Sequence, residues 1–277
     1  MKFQYLGTAA YEGIPASFCN CEVCEKSRKQ GGRNIRTRTQ ALVDDRLLID
    51  FPADSYIHSL VYGFNLSDIR TVIVTHDHGD HFYPEELLGR CPGFGHMPKG
   101  EELIIYGSRP TIDHFDAATD FAQWPREGYL LGKEVMPYVA FEAEGYTIIP
   151  LKADHAPSLE PVFYSIEKNG KRMLYAHDTG YFPEETWEFL KQMDGVFDFV
   201  SLDCTEILMD DLRENHMGLQ ACVDVKERLI KMGRCDTHTI FCLNHFSHNG
   251  GATYDVMCRV AEEQGFLVSY DGLTLEF

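Results

Sequence analysis

Short apolar runs of strand length recur along the chain, and between them lie stretches with apolar residues every three or four positions. Residues 3–7, 40–43 and 47–50 read as the opening strands of a sheet, and 53–62 reads as a helix. Residues 71–75 form the next strand. A short helix over 84–90 follows it, with Pro84 suited to a first turn. Residues 103–106 are a strand and 110–121 a helix, which Trp124-Pro125 ends. A second series predicts strands at 135–142, 146–151, 162–166 and 172–176, with Asn169-Gly170 as a hairpin turn. Residues 184–193 are helical in pattern and 196–202 a buried strand. An amphipathic helix over 219–231 stops at Gly233. Strands at 239–243, 266–269 and 273–277 complete the chain, with Asp271-Gly272 as the last turn. No linker, low-complexity segment or tandem repeat divides it, so residues 1–277 are expected to form one domain. Two strand-rich halves, each with helices, predict an α/β sandwich: two central sheets with helices outside.

Hydrophobic residues at 44% and aromatics at 12% suffice for a sizeable core. No apolar stretch reaches the length that spans a bilayer. The start, MKFQYLGTAA, has one Lys and no apolar core of a secretory signal, so a cytoplasmic location is the expectation. There the nine cysteines are expected to be thiols or metal ligands rather than a disulfide framework. A formal net charge of −18 disfavours nucleic acid as a partner, because phosphate neutralisation needs a Lys/Arg surface. A small anion can still bind where divalent cations dominate the local field. A homodimer is compatible with the composition.

The strand at 71–75 runs into Thr75-His76-Asp77-His78-Gly79-Asp80-His81, with three histidines and two aspartates in seven residues. Neutral imidazole and carboxylate are suitable ligands for Zn²⁺, Mn²⁺ or Fe. His76 and His78, two apart on a tight turn, can close on one ion, and Asp80 and His81 can face a second. Gly79 is expected to relieve crowding in the turn. This reading demands further ligands at other strand ends. His155 follows the strand at 146–151, Asp178 the strand at 172–176, and His245 the strand at 239–243. An α/β fold gathers its site at such ends. His76, His78 and His155 would hold one ion, Asp80, His81 and His245 the other, and Asp178 would bridge. A coordination position left open for water marks a catalytic site.

The order H-x-H-x-D-H, then His, Asp and His, resembles the metallo-β-lactamase superfamily over the whole chain. That resemblance implies a four-layered αβ/βα sandwich, two mixed central sheets flanked by helices, with a dinuclear site at its edge.

Cys19-Asn20-Cys21-Glu22-Val23-Cys24 packs three cysteines into six residues of an expected loop. Three thiolates this close can hold a structural Zn²⁺ if a fourth ligand arrives, and His248, three residues after His245, is the candidate. The remaining six cysteines, at 91, 204, 222, 235, 242 and 258, are expected in the core. With Gly7-Thr8-Ala9-Ala10 and Gly13-Ile14-Pro15-Ala16, the cluster is similar to that of the PhnP-type phosphodiesterases. These act on cyclic phosphates and carry a Cys₃His zinc beside a dinuclear centre. The similarity extends to Leu202-Asp203-Cys204, Asn215-His216 and the His245…His248 pair. Segments 90–99 and 113–141 depart from it, where substrate walls would lie.

The resemblance implies hydrolysis of a small, cyclic phosphodiester by hydroxide held between two divalent ions, Zn²⁺ or Mn²⁺, about 3.5–4 Å apart. Asp80 would orient that hydroxide. His216 is the candidate general acid or phosphate clamp, with Asp203 fixing its tautomer. His177 is a candidate support for Asp178, and the Gly/Pro-rich loop holding His96 could cover the site. His114 reads as a surface residue and His58 as structural. Four other readings remain. A tRNA 3′-processing nuclease would need a basic arm, which is not visible. A PqqB-like protein often has an incomplete dinuclear site. A thiolesterase or lactonase would share the hydroxide, and a non-catalytic metal-binding scaffold would share the ligands.

Overall fold

The computed structural model describes residues 1–277. Its strands are β1 (Lys2–Gly7), β2 (Gln40–Val43), β3 (Leu47–Ile49), β4 (Thr71–Ile73), β5 (Leu103–Gly107), β6 (Leu130–Glu134), β7 (Phe141–Ala143), β8 (Tyr146–Lys152), β9 (Val162–Lys168), β10 (Lys171–Ala176), β11 (Phe199–Asp203), β12 (Ile240–Asn244), β13 (Leu267–Val268) and β14 (Thr274–Glu276). The helices are α1 (Glu22–Gln30), α2 (Ser55–Tyr62), α3 (Arg109–Thr119), α4 (Glu184–Gln192), α5 (Leu219–Lys231) and α6 (Tyr254–Glu262). A 3₁₀ helix occupies Pro84–Arg90. No helix is long and apolar enough to cross a membrane.

Two seven-stranded sheets form, in the orders β14-β1-β2-β3-β4-β5-β6 and β13-β12-β11-β10-β9-β8-β7. Each is mixed: β3 to β6 are mutually parallel, as are β10 to β13, while β14, β1, β2 and β3 pair antiparallel in sequence across the first sheet and β7, β8, β9 and β10 do so across the second. The sandwich follows from strands that are apolar on both faces. Along β2, Ala41 and Val43 join the core between the sheets while Leu42 joins the layer beneath the helices. Phe3, Tyr5, Tyr164, Tyr175 and Phe199 fill the space between the sheets, drawn from both of them. Trp187 of α4, Val225 of α5 and Ala261 of α6 cover the outside of the second sheet. Each such large apolar side chain contributes roughly 1.5–3 kcal/mol when withdrawn from water.

Of the strand expected over 135–142 only the end forms, in β7. Pro137 has no amide hydrogen for a ladder, and Tyr138 takes a left-handed φ of 68°. The first sheet instead ends in β6, just upstream. There Gly132 lets the α3 ring of Phe115 lie against the backbone, since a Cβ would meet that ring at 2.9 Å. Helices α1 and α6 were not anticipated. Asn169-Gly170 turns as expected, with both residues at positive φ. Five of the six expected core cysteines are buried, while Cys258 on α6 is half-buried.

The parallel register of β10, β11 and β12 brings their C-terminal ends level, Ala176 beside Leu202 and Asp203 beside Asn244. The end of β4 is joined to the second sheet by Val162 N–H donating to Thr75 O at 2.9 Å and Tyr164 O–H to Val74 O at 2.7 Å. Ligand-bearing turns from both sheets therefore converge at one edge.

Candidate metal centre

Two side-chain clusters meet at that edge: His76, His78, His155 and Asp178, and Asp80, His81, Asp178 and His245. Asp178 belongs to both. Its Oδ2 lies 3.7, 3.4 and 3.6 Å from Nε2 of His76, His81 and His155, and its Oδ1 lies 2.7 Å from Nε2 of His245. Nδ1 of His78 stands 2.8 Å from Nε2 of His76 and 3.2 Å from Nε2 of His155. Asp80 Oδ2 is 3.4 Å from His81 Nε2.

These residues fit a pair of divalent cations. Two nitrogens bound to one tetrahedral ion at about 2.0–2.1 Å stand about 3.3 Å apart, within the spread of these distances. His81 Nε2, His245 Nε2 and Asp178 Oδ1 are buried with no hydrogen-bond partner; the last two face one another without aligning as donor and acceptor. Buried polar atoms left in this way call for an ion. The far nitrogen of four rings is already committed. His76 Nδ1 is 3.1 Å from Thr75 Oγ1, His81 Nδ1 2.8 Å from Asp50 Oδ2, His155 Nδ1 3.1 Å from Asn215 O, and His245 Nδ1 2.8 Å from Thr205 Oγ1. Each Nδ1–H donates, so each Nε2 lone pair is turned toward the cluster.

The electrostatics agree. Burial alone would raise the Asp178 carboxyl, yet His245 and His81 hold it well below the usual range. Burial and the neighbouring rings push His76 well down, leaving it neutral and able to ligate. Burial would also lower His81, but Asp178, Asp80 and Asp50 raise it far above an ordinary imidazole. A cation, whether proton or metal ion, is drawn to that nitrogen.

His216 completes a further group with Asp178, Asp203 and His245. Its Nδ1 donates to Asp203 Oδ2 at 2.9 Å, leaving Nε2 free. Asp203 also accepts from the amides of Thr179 and Thr205 at 3.2 and 3.0 Å and from Thr205 Oγ1 at 2.8 Å, which fixes its position. Burial would lower His216; Asp203 overrides it and pushes the ring up to about 9. The hollow above the clusters has a volume of about 470 Å³, and none of its lining residues is Lys or Arg. A polar groove of about 910 Å³ continues from it past His155 to Met136 and Tyr138, within the divergent 113–141 segment.

The cysteine cluster also assembles. His248 Nδ1 lies 3.4 Å from Cys21 Sγ and 3.7 Å from Cys19 Sγ, and Cys24 completes the set. Sulfur and nitrogen on one tetrahedral Zn²⁺ stand about 3.6 Å apart. The loop passes directly into α1, so Cys21 caps that helix and Cys24 lies within it. Burial would raise the Cys21 thiol, but the Cys24 amide and His248 lower it to about 6.

Some expectations change. Gly79 has an ordinary φ, and a Cβ there would meet nothing within 4 Å; it leaves the mouth of the hollow open rather than relieving a crowded turn. His96 lines a different cavity and does not cover the centre. His114 is more than a surface residue, since it holds Asp77 of the motif at 2.6 Å. His177 bonds Ser201 Oγ at 2.8 Å and accepts from Asn244. His58 lies between Thr37 and Gln40, as a structural residue would. The roles of Asp50, Thr75, Thr205 and the Asn215 carbonyl as partners of the ring nitrogens escaped sequence reasoning. Asp50 alone carried a signal, as a carboxylate ending an apolar strand. Asp50, Asn215 and His245 hold positive φ, at 66, 61 and 63°, three of the nine non-glycine residues that do.

The chain matches the family model described as "Beta-lactamase superfamily domain" over residues 55–238. Ribonuclease Z of Rippkaea orientalis is 26% identical over 148 residues, 53% of this chain and 42% of that protein. The chain spans less than half the length of the curated relatives it matches. Zn²⁺-bound PqqB from Methylobacterium extorquens superimposes with a TM-score of 0.75 at 19% identity, covering 100% of both chains. A diphosphatase of the PhnP family superimposes with a TM-score of 0.71 at 20% identity, covering 100% of this chain and 97% of that one. With a family match over well over half its length and two mixed sheets carrying His/Asp clusters at their edge, the protein belongs to the metallo-β-lactamase superfamily.

Proposed function

We propose that this protein is a phosphodiesterase that hydrolyses a small, cyclic phosphodiester with two divalent ions, Zn²⁺ or Mn²⁺, and that a third site holds a structural Zn²⁺. His76, His78 and His155 are the ligands of one ion, Asp80, His81 and His245 of the other, and Asp178 of both. Cys19, Cys21, Cys24 and His248 hold the structural ion. When bound, the ion pair supplies Lewis acidity and a water acidic enough to ionise near neutrality. Asp80, which lines the hollow, would orient that water. The hollow has no Lys or Arg, so its own side chains do not neutralise a polyanion, and its volume suits a small ligand. This argues against a nuclease despite the similarity to ribonuclease Z. The nine free thiols suit a cytoplasmic setting.

The observation that carries the reading is the His216–Asp203 pair beside the clusters. Asp203 fixes Nδ1 and keeps the ring protonated at neutral pH, so Nε2–H can donate to the departing alkoxide. Replacing His216 with Ala should leave the metal content intact and lower turnover by roughly 10²–10⁴ for diesters with poor leaving groups. The loss should shrink with p-nitrophenolate, which needs no proton. Wild-type rates on poor leaving groups, or an emptied metal centre, would refute this role.

A further inference from the structure

On the outer face of the first sheet lies a second cavity, of about 330 Å³, that shares no lining residue with the metal hollow. Leu48, Phe51, Val72, Leu87, Met97 and Leu103 supply apolar wall. Its volume lies in the range of small-molecule sites. One buried charge lines it: Arg90, at the end of the Pro84–Arg90 helix, is only 8% exposed. The guanidinium donates to the carbonyls of Leu66, Ser67 and Glu101 at 3.5, 3.4 and 3.0 Å, two of them long contacts. Its Nε is buried with no partner. Arg90 forms no ion pair; the nearby Glu101 carboxylate is taken by Arg70. The other ionisable residues of the wall, Glu86 and His96, are exposed.

A buried cation without an anion is costly, and so is a buried N–H without an acceptor. A carboxylate placed on the amino nitrogens of Arg90 would supply the missing anion, whereas the Nε has no exposed surface and stays out of its reach. Eight of the fourteen lining residues are hydrophobic, which disfavours a heavily solvated dianion such as phosphate and favours an apolar tail. We propose that this cavity binds a medium-chain monocarboxylate, its head on the Arg90 guanidinium and its tail between the sheet and the Pro84–Arg90 helix.

The test is calorimetric titration of the metal-loaded protein with octanoate, with octanol as the uncharged counterpart. Octanoate should bind at one site per chain, at least tenfold more tightly than octanol. Arg90→Met should weaken octanoate binding at least tenfold, the usual effect of losing a hydrogen-bonded charge. Inorganic phosphate, which goes to the metal hollow, should not displace it. If Arg90→Met fails to fold because three carbonyls lose their donor, Met97→Trp, on a half-buried loop position, should block the cavity and abolish binding. No binding, equal affinity for octanol, displacement by phosphate, or unchanged affinity in a folded variant would each overturn the proposal. None of these results depends on the phosphodiesterase reading.

Discussion

A single carboxylate, Asp178, lies within 3.7 Å of four imidazole nitrogens and belongs to both clusters. Asp178→Ala should therefore empty both positions and abolish turnover, and metal analysis of the purified variant checks this. Full metal content with wild-type turnover would exclude the bridging role. His177 next to it has a different function. Burial pushes its ring down to about 3, and the Asn244 amide donates to Nδ1, so the ring is neutral in the fold. Between about pH 6.5 and about 3 the unfolded chain binds a proton there that the native form refuses. Stability should thus fall as pH drops through that window. In chelated protein, His177→Gln should flatten this part of the denaturation profile; an unaltered pH dependence would rule the explanation out. The candidate ligands were legible because all seven are His or Asp residues in a short motif or shortly beyond apolar runs. Their supports were not: Asp50, Thr205 and the Asn215 carbonyl are isolated polar groups, and only the fold brings them to a ring nitrogen.

Among the elements, the strands of both sheets were readable because burial on two faces leaves continuous apolar runs, as in Gln40–Val43 and Phe199–Asp203. Edge strand β6 was missed because most of its residues face water and its signal is weak. Helices α1 and α6 bury few side chains: Val23, Cys24 and Ser27 on one, Met257 and Ala261 on the other. Their polar composition hides the period. The cysteine cluster gives α1 an anchor that its narrow apolar stripe lacks. Cys21→Ser should release about one zinc per chain and lower the thermal midpoint, since the binding energy of a structural zinc is folding energy. Unchanged zinc content would exclude the Cys₃His site.

For the whole molecule, the centre exists only where the two sheets meet. The first sheet supplies His76, His78, Asp80 and His81; the second supplies His155, Asp178, Asp203 and His245. The two-sheet architecture was legible in the spacing of strands and helices, while the shape of the hollow was not. That shape depends on segments such as 135–138, where Pro137 and Tyr138 turn the chain into the groove beside His155. The most direct measurement titrates metal-free protein with Zn²⁺ or Mn²⁺ while following hydrolysis of bis(p-nitrophenyl) phosphate and a cyclic nucleotide diester beside an activated ester and thioester. Diester turnover should appear as the two active-site positions fill, stop at the monoester and exceed turnover on both carbon esters. A fully loaded protein that cleaves the thioester or ester but leaves every diester intact would contradict the account.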